Sequence, residues 1–254
     1  MPAPHNKLKA ALKAGKPQTG LWLSLANSYS AELLGDVGFD WLLIDGEHSP
    51  NDLQTIMQQL QVLRFSESSV LVRPPIGETW LIKQLLDAGA QSLLIPMVES
   101  GEQAQLLAKS VRYPPHGIRG VGAGSARASH FGHIADYTST ADAEILLMLQ
   151  IETRAGLAAL DDIATTDGVD CVFIGPADLS ADMGYLGNIF APEVQSVIED
   201  AFRRIIGHGK AAGVYMANPE YAKRYLDMGV QFIALGSDAS VLSHGAHQLK
   251  ALHK

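Results

Sequence analysis

The sequence contains only one cysteine in 254 residues, Cys171, which lies within an apolar run. One cysteine cannot form an internal disulfide, so the chain is not a disulfide-stabilised fold, and a small buried side chain is the simplest role for this residue. No cysteines and histidines have the spacing of a zinc site. These shortages predict a protein that folds by burying apolar side chains in a reducing compartment, the cytoplasm.

Positive charge and long hydrophobic runs are also scarce. The 19 Lys and Arg residues are outnumbered by 27 Asp and Glu, for a formal net charge of -8, and the basic residues form no stripe. We therefore expect no nucleic-acid partner, because binding to a phosphate backbone requires clustered cations. No apolar run reaches the roughly 18 residues of a membrane-spanning helix, and the N-terminal segment lacks the apolar core of a signal peptide, so no membrane association is expected.

Apolar residues make up 47% of the chain, enough to bury a large core. Short apolar runs alternate with segments whose apolar residues recur at helical spacing. The runs are residues 19–25, 41–45, 70–73, 92–97, 145–151, 171–175, 213–217 and 232–236. Strand followed by helix, repeated through a chain of this length, predicts an α/β fold of the (β/α)8 TIM-barrel type. Because no linker or low-complexity tract divides the sequence, residues 1–254 are predicted to form one domain.

One stretch, residues 113–142, interrupts this alternation with paired prolines, several glycines and two arginines. A stretch of this length without periodicity in a compact domain is typically a functional loop. A phosphate-binding loop is the weaker interpretation, because no GxGxxG or Walker spacing surrounds the glycines. We expect a flexible lid over the barrel mouth, after the fourth strand.

Two carboxylates, Glu152 and Asp178, directly follow the fifth and sixth predicted strands. Barrels bind ligands beyond the carboxyl ends of their strands. Either acid alone could simply stabilise the start of the next helix. Two acids at adjacent strand ends, with Gln150 nearby and Pro176 stiffening the second turn, favour a divalent metal instead. Oxygen ligands of this kind suit Mg²⁺, Mn²⁺ or Co²⁺ better than zinc.

The second and third predicted strands end near Asp45, His48 and Arg73. Most histidines are structural or lie on the surface, but His48 follows a strand directly, three residues after Asp45, so that Asp45 could orient its ring. Arg73 is expected to point into the barrel mouth, and a surface salt bridge is the simpler alternative. A metal, a base and a fixed cation are sufficient to handle an enolate. Spacing alone indicates that Asp87, on the next helix, is an ordinary exposed acid.

Five motifs in one order carry a resemblance that extends from about Lys7 to Leu252. They are GFDWLLIDGEH at 38–48, VRP at 72–74, RYPPHGIRGV at 112–121, QIET at 150–153 and FIGPADLS at 173–180. In these motifs the sequence resembles the HpcH/HpaI family of class II pyruvate aldolases. The resemblance implies a metal-dependent carbon–carbon lyase that reversibly cleaves 4-hydroxy-2-oxo acids to pyruvate and an aldehyde. The foremost substrate implied is 4-hydroxy-2-oxoheptanedioate, an intermediate of aromatic catabolism, which releases succinate semialdehyde.

The resemblance also implies a role for each matching position. Glu152 and Asp178 would bind the metal, His48 would be the base, and Arg73 would stabilise the developing oxyanion. The substrate contacts implied are Gln150, Gly175, Pro176, Ala177, Asp178 and Arg73. Asp45 is counted with the catalytic residues on its place beside His48 in the sequence. An acid at the position of Asp87 would raise the basicity of the histidine, across a subunit interface, since the family is commonly hexameric.

Several other functions stay open. A 2-dehydro-3-deoxyglucarate aldolase is the near relative within the same resemblance. A Schiff-base aldolase needs a desolvated lysine at a strand end, whereas Lys83, Lys109 and Lys210 lie in predicted helices or before a strand. Enzymes acting on phosphoenolpyruvate or acyl-CoA use similar barrels, but no phosphate loop or basic patch is present. A protein that binds keto acids without turnover would use the same pocket.

Overall fold

The structure is a computed structural model that describes residues 1–252. Its strands are β1 Gln18–Leu23, β2 Trp41–Asp45, β3 Ser69–Arg73, β4 Ser92–Ile95, β5 Leu146–Ile151, β6 Cys171–Ile174, β7 Ala211–Tyr215 and β8 Phe232–Ser237. Each strand pairs in parallel with the next, and β8 pairs with β1, so that the sheet closes into a barrel. The predicted (β/α)8 fold is confirmed, and each expected apolar run contributes one strand.

Of the helices, one precedes β1 and one follows β8, and the others lie between successive strands on the outside of the barrel. They are α1 Lys7–Lys13, α2 Ser28–Gly35, α3 Leu53–Val62, α4 Thr79–Ala88, α5 Gly101–Ser110, α6 Tyr137–Glu144, α7 Arg154–Ala158, α8 Leu160–Thr165, α9 Pro176–Asp182, α10 Pro192–Gly207, α11 Pro219–Asp227 and α12 Asp238–Ala251. Across residues 1–252, none of them combines the length and the apolar character needed to cross a bilayer.

Alternation along the strands separates the barrel interior from the outer layer. Leu42 and Ile44 on β2 pack outward with the helices, whereas Trp41 and Leu43 belong to the cluster inside the barrel. Trp41 stacks on the Phe232 ring with centroids 4.0 Å apart. This interior is a packed core, so ligands can bind only at its ends.

Helix α1 closes one end of the barrel. Its residues Leu8 and Leu12 join the interior cluster, and the Asn6 side chain, which caps α1, donates to the Ser92 hydroxyl at the start of β4, 3.0 Å away. This is the end at which the strands begin. The open end is therefore the one at which they finish, where the sequence predicts the site.

The stretch 113–142 lies at the closed end, so the expectation of a lid over the barrel mouth is wrong. It follows α5, and a connection from a helix to the next strand lies where the strands begin. The Arg127 side chain donates to the carbonyls of Ala88 and Leu60, near the C-terminal ends of α4 and α3. The prediction failed because the helix between β4 and this stretch had already carried the chain to the other end.

The last helix extends away from the barrel. The Asp238 carboxylate at its start is buried and accepts the backbone N–H groups of Ser24 and Leu25 at 2.7 and 3.1 Å. Most side chains of this helix after Asp238 are exposed, among them Val241 and Leu242. Helix α12 thus presents apolar side chains that are not buried against residues 1–252.

Candidate functional site

Five strands end in side chains that point into the open end of the barrel. They are Trp22 on β1, Asp45 on β2, Arg73 on β3, Gln150 on β5 and Tyr215 on β7. Apart from Trp22, each lies two or four residues after an interior residue of its own strand. Trp22 itself belongs to the interior cluster, and Tyr215 packs against it. The barrel topology therefore brings residues from distant parts of the chain into one ring at the mouth.

Arg73 is a buried, fixed cation at this mouth, with a side chain only 5% exposed. Its Nε donates to Asp45 Oδ1 at 2.8 Å, and its Nη1 lies 2.6 Å from Glu47 Oε2. The guanidinium carbon lies 4.1 Å from the centroid of the Trp22 ring. Two carboxylates and an aromatic face offset the cost of burying the charge. The alternative of a surface salt bridge is excluded for this residue.

The acid next to His48 is Glu47, and the expectation that Asp45 orients the His48 ring is wrong. Nε2 of His48 lies 4.0 Å from Glu47 Oε2. Asp45 instead binds Arg73 and accepts the backbone N–H of Glu47 at 3.1 Å. Asp45 thus positions the cation. The His48 side chain is 64% exposed, so a substrate entering the mouth can reach it.

Glu47 is the site residue that the sequence prediction missed. Its side chain is 13% exposed and lies between the cation and the candidate base. Burial raises the pKa of Glu47, an effect that Arg73 and then His48 oppose. The only signal was its place in the turn between Asp45 and His48. Alternation along a strand does not say which way a turn residue points.

Glu152 is a buried carboxylate that forms no ion pair within residues 1–252. Its Oε1 accepts the backbone N–H of Met97 at 2.9 Å, and its Oε2 accepts the side-chain amide of Gln150. Burial raises the pKa of Glu152 to about 7 despite these hydrogen bonds. The cap of α7 is Thr153, whose hydroxyl accepts the N–H of Gly156 at 3.1 Å. Helix capping therefore does not explain the buried carboxylate, which has the environment expected of a cation ligand.

The turn after β6 places Asp178 beside this carboxylate. A Cβ at Gly175 would lie 2.6 Å from Glu152 Oε2, so glycine is required for the close approach. Pro176 begins α9, and Asp178 lies in its first turn with an exposed side chain. Asp178 is near enough to contribute to the raised pKa of Glu152. The structure thus brings together the two predicted metal ligands.

These residues fit a hard divalent metal. Within residues 1–252 no group of three or more His, Cys, Asp or Glu side chains could enclose a metal, so a metal at this mouth would be held by at most two of them. The Oε1 of Gln150 is also buried, with no hydrogen-bond partner in the described chain. Few ligands, all of them oxygen, leave positions for water and substrate, as Mg²⁺ sites in enzymes do.

Asp87 lies away from this mouth in the single chain. It occupies the last turn of α4, toward the closed end of the barrel, and accepts a hydrogen bond from Arg119 Nη2 at 2.8 Å. Arg119 is fully buried, with its guanidinium 4.4 Å from the Tyr113 ring centroid. The structure therefore does not bring Asp87 to His48 of the same chain, and its action at the base stays a prediction.

Comparison with known proteins agrees with this architecture. A sequence model of the HpcH/HpaI aldolase/citrate lyase family matches residues 18–245. A hydroxypyruvate/pyruvate aldolase of Agrobacterium fabrum is 54% identical over 100% of this chain and 96% of its own length. A 4-hydroxy-2-oxo-heptane-1,7-dioate aldolase of Klebsiella pneumoniae is 54% identical over 97% of this chain and 93% of its own. The crystal structure of an HpcH/HpaI aldolase/citrate lyase family protein from Burkholderia cenocepacia has a TM-score of 0.95 and 37% identity, covering 98% of this chain and 100% of that one. The chain belongs to the HpcH/HpaI aldolase/citrate lyase family.

Proposed function

We propose that this protein is a divalent-metal-dependent class II aldolase that reversibly cleaves 4-hydroxy-2-oxo acids into pyruvate and an aldehyde. Membership of an aldolase family makes the chain a lyase. The observation that carries the proposal is that two groups of functional side chains lie at the same barrel mouth. The carboxylates Glu152 and Asp178 follow β5 and β6. The buried Arg73 ends β3, and the exposed His48 follows β2.

The metal site consists of Glu152 and Asp178. Divalent-metal dependence is a trait of the family. Mg²⁺, Mn²⁺ and Co²⁺ all suit the two carboxylates. A metal bound there would act as a Lewis acid toward the 2-oxo and carboxylate oxygens of the substrate, an effect worth several kcal/mol.

The remaining chemistry comes from side chains of this chain. In the cleavage direction His48 accepts the proton of the C4 hydroxyl, directly or through one water. The C3–C4 bond then breaks, C4 becomes the aldehyde carbon, and the electron pair passes into the enolate of pyruvate. Arg73 stabilises the enolate oxygen, and because Asp45 and Glu47 already hold its guanidinium, little reorganisation is needed. Proton return to C3 completes pyruvate, and the reverse sequence joins pyruvate to an aldehyde.

Substrate contacts come from Gln150 and from the turn Gly175, Pro176, Ala177 and Asp178. Gln150 has a buried oxygen without a partner in the described chain, and Ala177 is exposed at the rim of the mouth. Asp45 takes part by holding Arg73. These assignments follow the positions that the resemblance implied, and the geometry supports all of them except a direct role for Asp87 within one chain.

We also infer that residues 1–254 form one aldolase domain, and that the protein acts in the cytoplasm as a homo-oligomer. Residues 253 and 254 lie outside the described part of the chain. The exposed apolar side chains of α12 and the separation of Asp87 from His48 within one chain both support assembly. A hexamer is the assembly that the resemblance implies.

The proposed substrate to test first is 4-hydroxy-2-oxoheptanedioate, named in one group of relatives, whereas another is named for hydroxypyruvate and pyruvate. The assay follows pyruvate release through lactate dehydrogenase, using metal-stripped protein with and without Mg²⁺ or Mn²⁺. We expect release only with metal, and little release by Glu152→Gln, which keeps the side-chain size. Release without metal would overturn the Glu152 and Asp178 site. Pyruvate binding with no turnover of this compound, or of 2-dehydro-3-deoxyglucarate, would favour a keto-acid-binding protein.

A further inference from the structure

The connection from β4 to α5, residues 96–100, passes beside the candidate metal ligand Glu152. Two of its backbone N–H groups donate to the end of β5 and the residue after it. The N–H of Met97 donates to Glu152 Oε1 at 2.9 Å, and the N–H of Val98 donates to the carbonyl of Gln150 at 3.0 Å. The position of one oxygen of the Glu152 carboxylate therefore depends on where the Met97 N–H points.

Met97 has a backbone conformation that is uncommon for a residue with a side chain. Its φ is 55°, in the left-handed region, and its side chain is exposed. Val98 is fully buried in the core layer outside the barrel, which fixes the peptide that follows Met97. Because each peptide is planar, relaxation of Met97 to a negative φ would rotate the preceding peptide and turn its N–H away from Glu152. A backbone held in a costly conformation requires contacts that enforce it.

The Gln103 side chain supplies such contacts. Its Nε2 donates to the Met97 carbonyl at 3.2 Å, and its Oε1 accepts the backbone N–H of Glu99 at 2.9 Å. The two contacted groups belong to the peptides on either side of Val98, so one amide fixes the connection at two points. Gln103 lies in the first turn of α5, where its own N–H donates to the hydroxyl of the capping residue Ser100 at 3.1 Å. The helix thus gives these contacts a fixed base.

We propose that Gln103 is a positioning residue for the metal site. By holding Met97 in its left-handed conformation, it directs the Met97 N–H at Glu152 and keeps that carboxylate in place for a divalent cation. The side-chain hydrogen bonds of Gln103 go to the backbone of residues 97 and 99, so it acts on Glu152 through Met97. This inference rests on the proposed function, since it concerns the proposed metal ligand. Residues that orient a metal ligand change metal affinity without touching the metal.

The test measures the Mn²⁺ affinity of metal-stripped protein by titration calorimetry. Gln103→Met keeps the length of the side chain and removes both hydrogen bonds. We expect its Kd for Mn²⁺ to rise about 3- to 10-fold, less than the roughly 10- to 100-fold typical for a direct partner of a metal ligand, because Met97 intervenes. Gln105→Met is the matched control and should bind Mn²⁺ like the wild type, since Gln105 lies on the same helix with an exposed side chain.

Two further measurements test the route through Met97. Adding Met97→Gly to Gln103→Met should recover part of the Mn²⁺ affinity, because glycine adopts a positive φ without the steric cost. In metal-free protein, hydrogen–deuterium exchange read by fragmentation mass spectrometry should show faster exchange of the Met97 amide in Gln103→Met, and the wild-type rate in Gln105→Met. No recovery in the double variant, or an unchanged exchange rate, would overturn this route.

The outcomes also separate this inference from the proposed function. Mn²⁺ binding that requires Glu152 but is unchanged in Gln103→Met would overturn the role of Gln103 alone. Wild-type protein that binds Mn²⁺ no more tightly than Glu152→Gln would overturn the proposed metal site and this inference together.

Discussion

Glu47 Oε2 lies 2.6 Å from Nη1 of Arg73, and the same oxygen is 4.0 Å from Nε2 of His48. One carboxylate thus contacts the cation and borders the candidate base. Because Glu47 and Arg73 are both largely buried, their charges are weakly screened by solvent. The position of the guanidinium therefore depends on Glu47 as well as on Asp45.

Glu47→Gln keeps the size of the side chain and removes its charge. We expect kcat for pyruvate release to fall by about 10- to 100-fold, since losing a group that fixes a transition-state donor costs rate more than substrate affinity. Glu47→Asp should recover part of this loss. Steady-state kinetics will measure both variants, with Glu67→Gln as the control, because Glu67 pairs with Lys7 on the surface and is 93% exposed. Unchanged kcat in Glu47→Gln would contradict a positioning role.

His48→Ala should fold normally and turn over slowly. The His48 side chain is exposed, so its removal leaves no cavity, and loss of a general base typically costs about 10²- to 10⁴-fold in rate. The measurement is kcat for cleavage, together with the thermal midpoint, which we expect to stay close to that of the wild type. His133→Ala is the matched control, since His133 is also exposed but lies in the stretch at the closed end. Wild-type turnover in His48→Ala would remove this residue from the mechanism.

The stability of the metal-free protein should depend on pH through Glu152. Burial raises its pKa from 4.5 to about 7, so between these values the folded state binds more protons than the unfolded state. The favourable contribution is therefore full below about pH 4.5 and is lost as the pH rises toward 7, a change of up to about 3 kcal/mol. Urea unfolding in EDTA at pH 5 and pH 7 will measure the loss.

Added metal should reverse this trend, because a cation favours the ionised carboxylate. We expect saturating Mn²⁺ to raise the free energy of unfolding more at pH 7 than at pH 5. Glu152→Gln should remove this difference and the pH dependence that Glu152 causes. A metal effect of equal size in Glu152→Gln would show that the ion binds elsewhere.

Gly175→Ala should weaken metal binding more than it weakens the fold. The added Cβ would lie 2.6 Å from Glu152 Oε2 and 2.9 Å from Glu152 Cβ, so the carboxylate must move. Changing the contacts that hold a metal ligand in position typically costs about 10- to 100-fold in metal affinity. Titration calorimetry with Mn²⁺ will measure the loss. Gly207→Ala is the control, since a Cβ there meets nothing within 4 Å. Equal Mn²⁺ affinity in the two variants would contradict the close approach.

Much of the barrel could be predicted from local patterns. Apolar runs marked each strand, and segments with helical spacing marked the helices that follow them. Strand ends then located Arg73 and Glu152 near the mouth, because residues at the carboxyl ends of parallel strands share one end of a barrel. These inferences succeeded because each depends on a few neighbouring residues and on one general rule of topology.

The predictions failed where they required the three-dimensional position of a side chain or a segment. Asp45 and His48 are close in sequence, but the Asp45 carboxylate turns to Arg73 on the neighbouring strand, and Glu47 takes the place beside the histidine. The stretch 113–142 has the composition of a lid, but the preceding helix places it at the closed end. Spacing along the chain does not determine either outcome.

Local order and motifs along the chain were enough to predict the alternation of strands and helices, the residue types at each strand end and the family. The three-dimensional fold was needed to place Glu47 and Trp22 against Arg73 and to bury Glu152 against Gly175. The physical reason is barrel closure. It brings β1 beside β8 and places side chains from eight strands around one mouth, so a residue's partners depend on strand register and on its neighbours' packing.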